Sequence, residues 1–216
     1  SEDGNENLRL EGTPPEKVHF VGNVMIDTLV FLRPKASQLG SALRHSMGLR
    51  EYGLVTLHRP SNVDEVEVLG RIISTLNEIA GRLPLLFPVH PRARQRMQSG
   101  GILPLASNLR LIDPLGYLEF LALQEHAAVV LTDSGGIQEE TTFLGVPCIT
   151  LRANTERPVT VSIGTNVLVG QDMGLLRLEL ERVLDGRFKR GEIPPLWDGK
   201  AAERIAECIE KARGHA

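Results

Sequence analysis

One segment of the chain joins an apolar run to residues that can hold an anion. Ala128–Thr132 is followed by Asp133-Ser134-Gly135-Gly136-Ile137-Gln138-Glu139-Glu140. A turn of small residues between a strand and a helix lets backbone N–H groups approach a ligand closely, at the positive end of the helix dipole, and a diphosphate fits there. Glu140 lies four residues after Gly136, one helical turn along and on the same face. Its carboxylate can therefore accept hydrogen bonds from two ribose hydroxyls. The plainer reading of the same residues is a tight turn followed by a solvated helix residue.

Three further turns carry candidate chemistry. Leu54–Leu57 leads into His58-Arg59-Pro60-Ser61-Asn62, where His58 and Arg59 can both donate to phosphate oxygens. Thr155-Glu156-Arg157-Pro158 fixes an arginine before a proline, and the guanidinium fork suits phosphate or carboxylate; a surface salt bridge at a helix start is the alternative. Phe87-Pro88-Val89-His90-Pro91 puts His90 at a strand end, where it can equally be a structural histidine held between two prolines.

The elements that must position these turns alternate. Short β-rich runs at 53–57, 85–89, 109–112, 128–132, 147–151 and 166–169 are separated by amphipathic stretches, the signature of βα units around a parallel sheet of six strands. In such a sheet ligands bind beyond the carboxyl ends of the strands, where the four turns lie. Helices are expected at 64–80, 92–98, 117–126, 137–144, 172–184 and 200–213. In the first, Val66, Leu69, Ile72, Ile73, Leu76 and Ile79 recur at three- and four-residue steps, so one face should pack on the sheet. Asn62 or Asp64 can cap its start, and Gly81 with Pro84 ends it. Val18–Val21 is a further short strand candidate, and residues 1–17 read as a connector.

Composition excludes several classes. The 216 residues are 42% hydrophobic and 24% charged, ordinary for a globular protein. A net charge of −3, without a long Lys/Arg block, argues against a nucleic-acid partner. No apolar run is long enough to span a bilayer and no leader pattern opens the chain, so a cytoplasmic protein without membrane contact is expected. Cys148 and Cys208 are far apart and without CxxC spacing, and read as small core hydrophobes. G-x-G-x-x-G, the P-loop, zinc spacing and the G-x-S-x-G elbow are all missing, so neither NAD nor a metal is indicated.

Taken together, Gly22-Asn23 with Asp27, His58-Arg59, Pro88-Val89-His90-Pro91, Ile112-Asp113-Pro114 with Tyr117 and Phe120, the Asp133–Glu140 block, Leu144-Gly145-Val146-Pro147 and Thr155-Glu156-Arg157-Pro158 resemble the bacterial-type, non-hydrolysing UDP-N-acetylglucosamine 2-epimerases. The Ser-Gly-Gly-Ile-Gln-Glu-Glu block is highly specific, whereas His-Arg alone is not.

The resemblance implies a doubly wound, Rossmann-like α/β domain, one half of a glycosyltransferase-B-type fold with the active site between two domains. Residues 1–30 would then be a connector and remnant of an amino-terminal domain, and 31–216 the UDP-binding domain. Ser134, Gly135 and Gly136 would hold the diphosphate and Glu140 the ribose, with the loop around Phe120 on uracil. His58, the candidate catalytic residue, and Arg157 would lie near phosphates and substrate, and Arg59 and His90 would match a possible activator site. Here Pro60-Ser61-Asn62 replaces the Arg-Glu-Asn common among activated members. The implied reaction eliminates UDP across C1 and C2 and adds it back with C2 inverted, interconverting UDP-GlcNAc and UDP-ManNAc with no cofactor. The family's proton-transfer carboxylates lie in the amino-terminal domain, and the chain opens at Ser1 as though mid-protein, so a truncation is expected. The ligands would be UDP and a UDP-N-acetylhexosamine, and the full-length protein a homodimer. Alternatives are a hydrolysing epimerase, a glycosyltransferase donor domain, which the Thr-Glu-Arg-Pro block opposes, and a non-catalytic UDP-sugar-binding module.

Overall fold

The computed structural model describes residues 2–102 and 105–213. Two helices come first, α1 (Glu2–Leu10) and α2 (Val24–Ser46). The sheet then builds up as β1 (Gly53–Thr56), α3 (Pro60–Val63), α4 (Val66–Ala80), β2 (Leu85–Pro88), α5 (Pro91–Ser99), β3 (Leu109–Ile112) and α6 (Tyr117–Gln124). Its second half is β4 (Val129–Thr132), α7 (Gly135–Leu144), β5 (Cys148–Thr150), α8 (Pro158–Ser162), β6 (Asn166–Leu168), α9 (Met173–Leu184) and α10 (Ala201–Arg213). Every pairing is parallel and the strand order is β3-β2-β1-β4-β5-β6. The doubly wound six-stranded sheet expected from the alternation is present.

The near-continuous apolar strands reflect burial on both faces. Val55, Val129, Leu131 and Ile149 join α4 and α9 in one core, while Leu54, Leu86 and Val130 turn to the other face. There they meet Leu123 of α6 and the end of α2 around Leu43. Tyr52 is fully buried in this second layer and its hydroxyl donates to the Leu123 carbonyl at 2.6 Å. Burial pushes its phenol up to about 12. Fully burying each Leu or Ile contributes about 1.5–3 kcal/mol, so both layers hold the strand ends firmly.

The caps differ from expectation. The helix expected from Asp64 starts two residues later: α4 begins after Glu65, with no side-chain cap, and Gly81 ends it. Asn62 is taken into the core and Asp64 pairs with Arg92 at 2.7 Å, so neither caps α4. Val18–Val21 is not a strand. Among the described residues it has no neighbouring strand, and it leads instead into Gly22, whose φ of +98° places a hypothetical Cβ against the Leu196 carbonyl. Glu2–Leu10 is helical, where a connector was expected. Residue 30, taken as a domain boundary, lies inside α2, which is anchored by buried Ile26, Leu29, Ala36 and Gly40. Among the described residues no helix is long and apolar enough to cross a membrane.

Candidate functional site

β1 and β4 are neighbours at the centre of the sheet, and the chain leaves them in opposite directions, which opens a crevice beyond their carboxyl ends. Asp133, the first residue after β4, is fully buried there. Its carboxylate accepts from the backbone N–H of His58 at 3.1 Å, from that of Arg59 at 2.9 Å and from the Asn62 amide at 3.1 Å. The same Asn62 nitrogen also donates to the Leu151 carbonyl at 3.0 Å, tying β1 to β5 across β4. Burial pushes the Asp133 carboxyl up, but the bonds from His58, Arg59 and Asn62 outweigh it and hold the group below its ordinary range.

His58 Nδ1 lies 2.9 Å from Asp133 Oδ1. The hydrogen bond to Asp133 raises the imidazole pKa, with burial opposing and the carboxylate charge assisting. Half of the side chain is exposed. With Nδ1 committed to Asp133, Nε2 is the nitrogen available to a ligand. Asp133 was not among the site residues expected from sequence. The available signal was a carboxylate at a buried strand's end, which must find several donors to remain charged.

Ser134 is the N-cap of α7, yet its hydroxyl makes no capping bond, and its own N–H donates to Thr132 Oγ1 at 3.0 Å. A Cβ added at Gly135 or Gly136 would meet nothing within 4 Å. Space beside both glycines is open and the first N–H groups of a helix have no intrahelical partner, so with the helix dipole behind it this turn suits an anion. Glu140, one turn along, is only 4% exposed, so it is not a solvated helix residue. Its Oε1 accepts from the Tyr117 hydroxyl at 3.0 Å, while Oε2 is buried with no well-formed hydrogen bond among the described residues, the Gln124 amide lying close enough to oppose the rise in its pKa. Burial raises its pKa, and the unpartnered oxygen is a ready acceptor.

The loop after β5 carries Arg157 as the N-cap residue of α8. Its Nε lies 2.8 Å from Glu139 Oε1, which also accepts from Asn23 at 2.9 Å. Glu139 is 5% exposed, and its pKa is raised by burial despite Arg157. Arg152 grips Glu156 with two bonds of 2.7 Å and pulls its carboxyl down to about 2. Arg59, Ser61, Asn62, Arg152, Asn154 and Gln171 contribute to a cleft of about 580 Å³, and Arg59 Nε is buried without an acceptor.

Two expected residues follow β2 and β3 instead. His90 does not line that cleft, and neither do His58, Ser134–Gly136, Glu140 or Arg157; the His90 Nδ1 accepts from the Arg92 N–H at 3.3 Å and caps α5. Phe120 stands on the first turn of α6, not in a loop, half-buried against the cluster containing Leu86 and Val130. By contrast His58, Ser134–Gly136 and Arg157 follow β1, β4 and β5, three adjacent strands spaced about 4.8 Å apart. One ligand the size of a nucleoside diphosphate can span them. Cys148 is buried within β5, where desolvation pushes its thiol up to about 11.

Strand order and the crevice at the centre of the sheet define a Rossmann-like α/β domain. Residues 1–210 match the UDP-N-acetylglucosamine 2-epimerase family, and the chain belongs to that family. It is 41% identical over 211 residues to UDP-N-acetylglucosamine 2-epimerase of Methanocaldococcus jannaschii, covering 94% of this chain and 57% of that protein. The crystal structure of the M. jannaschii enzyme with UDP-GlcNAc and UDP superposes with a TM-score of 0.84 at 36% identity, over 98% of this chain and 59% of that one. UDP-2,3-diacetamido-2,3-dideoxy-D-glucuronate 2-epimerase of Pseudomonas aeruginosa is 37% identical over 95% of this chain and 57% of its own length. The chain thus spans just under three fifths of the relatives it matches.

Proposed function

We propose that this chain is the UDP-holding half of a UDP-N-acetylglucosamine 2-epimerase, which interconverts UDP-GlcNAc and UDP-ManNAc. The observation that carries the reading is the open first turn of α7 at Ser134–Gly136, with the unpartnered Glu140 oxygen one turn behind it. The diphosphate sits on the α7 N–H groups, Glu140 takes the ribose, and Phe120 with its neighbours on α6 lies toward uracil. His58 and Arg157 face the phosphates from the flanking strands. The full-length enzyme is a homodimer of glycosyltransferase-B type in which a second domain closes over this crevice.

In the reaction the C2 proton passes to a base, the C1–O bond breaks and its electron pair leaves with UDP, giving a glycal. UDP then re-adds at C1 and a proton returns to C2 on the opposite face. His58, kept protonated more readily by Asp133, stabilises the charge that develops on departing UDP. The proton-transfer carboxylates are assigned to the part of the enzyme outside these residues, since the chain covers 57% of its relatives' length.

Calorimetry with UDP and with free pyrophosphate tests the binding half of the reading. Glu140→Ala should weaken UDP by about 1.5–3 kcal/mol and pyrophosphate much less, because the lost contacts are to ribose. Equal losses remove Glu140 from that role. Proton NMR in D₂O tests the catalytic half: the chain alone should bind UDP-GlcNAc without exchanging its C2 hydrogen, whereas an enzyme extended upstream exchanges it. Exchange by the chain alone would place the base within it, with His58 first in line. The Pseudomonas relative favours a second reading of the sugar, a diacetamido uronate on the same UDP site. Turnover of each UDP-sugar by the extended enzyme separates the two.

A further inference from the structure

We infer that Gln138 is a positioning residue for Arg157, acting through a buried hydrogen-bonded relay of Thr155, Thr160 and Asn166. This rests on the UDP-binding reading and goes beyond it. Gln138 lies one turn into α7, four residues after Ser134, and is fully buried. Its Oε1 accepts from the Thr155 hydroxyl at 2.6 Å and from the Asn166 amide at 3.0 Å. Asn166, fully buried at the start of β6, donates also to Thr160 Oγ1 at 3.1 Å and accepts from the Thr150 hydroxyl at 2.7 Å.

Both hydroxyls at the outer end of this relay close on Arg157. Thr155 Oγ1 accepts from the Arg157 N–H at 3.0 Å, and the Thr160 hydroxyl donates to the Arg157 carbonyl at 2.7 Å. The backbone of Arg157, at φ −128° and ψ 57°, has left the helical conformation; only its carbonyl joins α8, taking the Thr160 N–H at 2.9 Å, so its own N–H depends on the Thr155 hydroxyl. Its guanidinium is then tied to Glu139, the residue after Gln138. One helix therefore sets two things at once. Its first turn offers N–H groups to an anion, and its second turn fixes, at the backbone and at the side chain, the arginine that approaches the same anion from β5. Gln138 Nε2 is buried without a partner, and a fully desolvated amide is retained at that cost beside a loop that a plain core residue could also support.

The test uses Thr155, which is only half-buried, so that the core stays intact. Thr155→Val keeps shape and removes the hydroxyl; Thr155→Ser keeps the hydroxyl. UDP affinity is measured by calorimetry in the wild-type chain, both variants, Arg157→Ala and the double variant Thr155→Val/Arg157→Ala. The expected result is a loss of about tenfold in Thr155→Val, near wild-type binding in Thr155→Ser, and no further loss when Thr155→Val is added to Arg157→Ala. Wild-type affinity in Thr155→Val, or the same loss with and without Arg157, overturns the inference while leaving UDP binding in place. A wild-type chain that does not bind UDP overturns the functional reading itself.

Discussion

His58 and Asp133 meet at 2.9 Å across the gap between β1 and β4, and the same carboxylate takes the backbone N–H groups of His58 and Arg59. A single buried charge therefore fixes the loop after β1, orients the imidazole and biases it toward its cationic form. The arrangement leaves Nε2 as the nitrogen not engaged by Asp133, on a side chain that is half exposed.

Asp133→Asn should cost about 1.5–3 kcal/mol of stability, the value of hydrogen bonds to a charged acceptor, read by chemical denaturation. The sign with pH follows from both partners. Asp133 has a lowered pKa, so its contribution is present above the ordinary 3.8 and fades as pH falls through its folded value. His58 has a raised pKa, so its contribution is complete below 6.5 and is lost as pH rises through its folded value. The gap between wild type and variant should be widest between these limits. The NMR titration of His58 should also move down toward 6.5 in the variant.

UDP affinity should fall as pH rises through the His58 pKa, above 6.5, because the imidazolium is the form that attracts phosphate. UDP itself titrates, so the relevant quantity is the ratio of wild-type to His58→Asn affinity. That ratio should shrink toward one at alkaline pH; a ratio independent of pH would remove His58 from the phosphates.

Gly136→Ala separates anion approach from folding. Since its Cβ would meet nothing within 4 Å, the fold should keep its stability or gain up to about 0.5–1 kcal/mol from reduced backbone freedom. UDP binding should nonetheless drop about 10- to 100-fold as the methyl group displaces phosphate from a charge-assisted bond. Thermal melting alongside calorimetry checks both halves.

Glu140→Gln should trade function for stability. Burial raises the Glu140 pKa above 4.5, so the charge it carries at neutral pH works against the fold. The variant should melt at higher temperature at neutral pH, the gain vanishing as pH falls toward 4.5, while UDP binding weakens. A lower melting temperature at neutral pH would show that the carboxylate is stabilised where it stands.

Much was legible from one dimension. Alternating apolar runs with turn residues after each dictate a parallel sheet, since such runs satisfy burial on two faces and leave small and polar residues at the strand ends. For that reason the turns at 58–59, 133–136 and 155–158 could be read as candidate chemistry before any fold was known. The long helix Val24–Ser46 escaped because its apolar residues are spread among polar ones and interrupted by Pro34, and only its packing on α6 and α7 makes it a single element. Val18–Val21 had strand composition, but a strand exists only where a neighbour accepts its hydrogen bonds.

Composition and spacing alone determined the layered class of the fold and the residues at its strand ends. Tertiary structure decided which of those residues work together, because hydrogen bonds depend on distances between strands far apart in the chain. His58 and Asp133 lie 75 residues apart in sequence, Asn23 and Glu139 116 apart, and no local pattern encodes either contact. Burial made the remaining choices: Asp133, Gln138, Glu139 and Glu140 could each have been solvated, and the path of β4 and α7 through the middle of the domain buried all four.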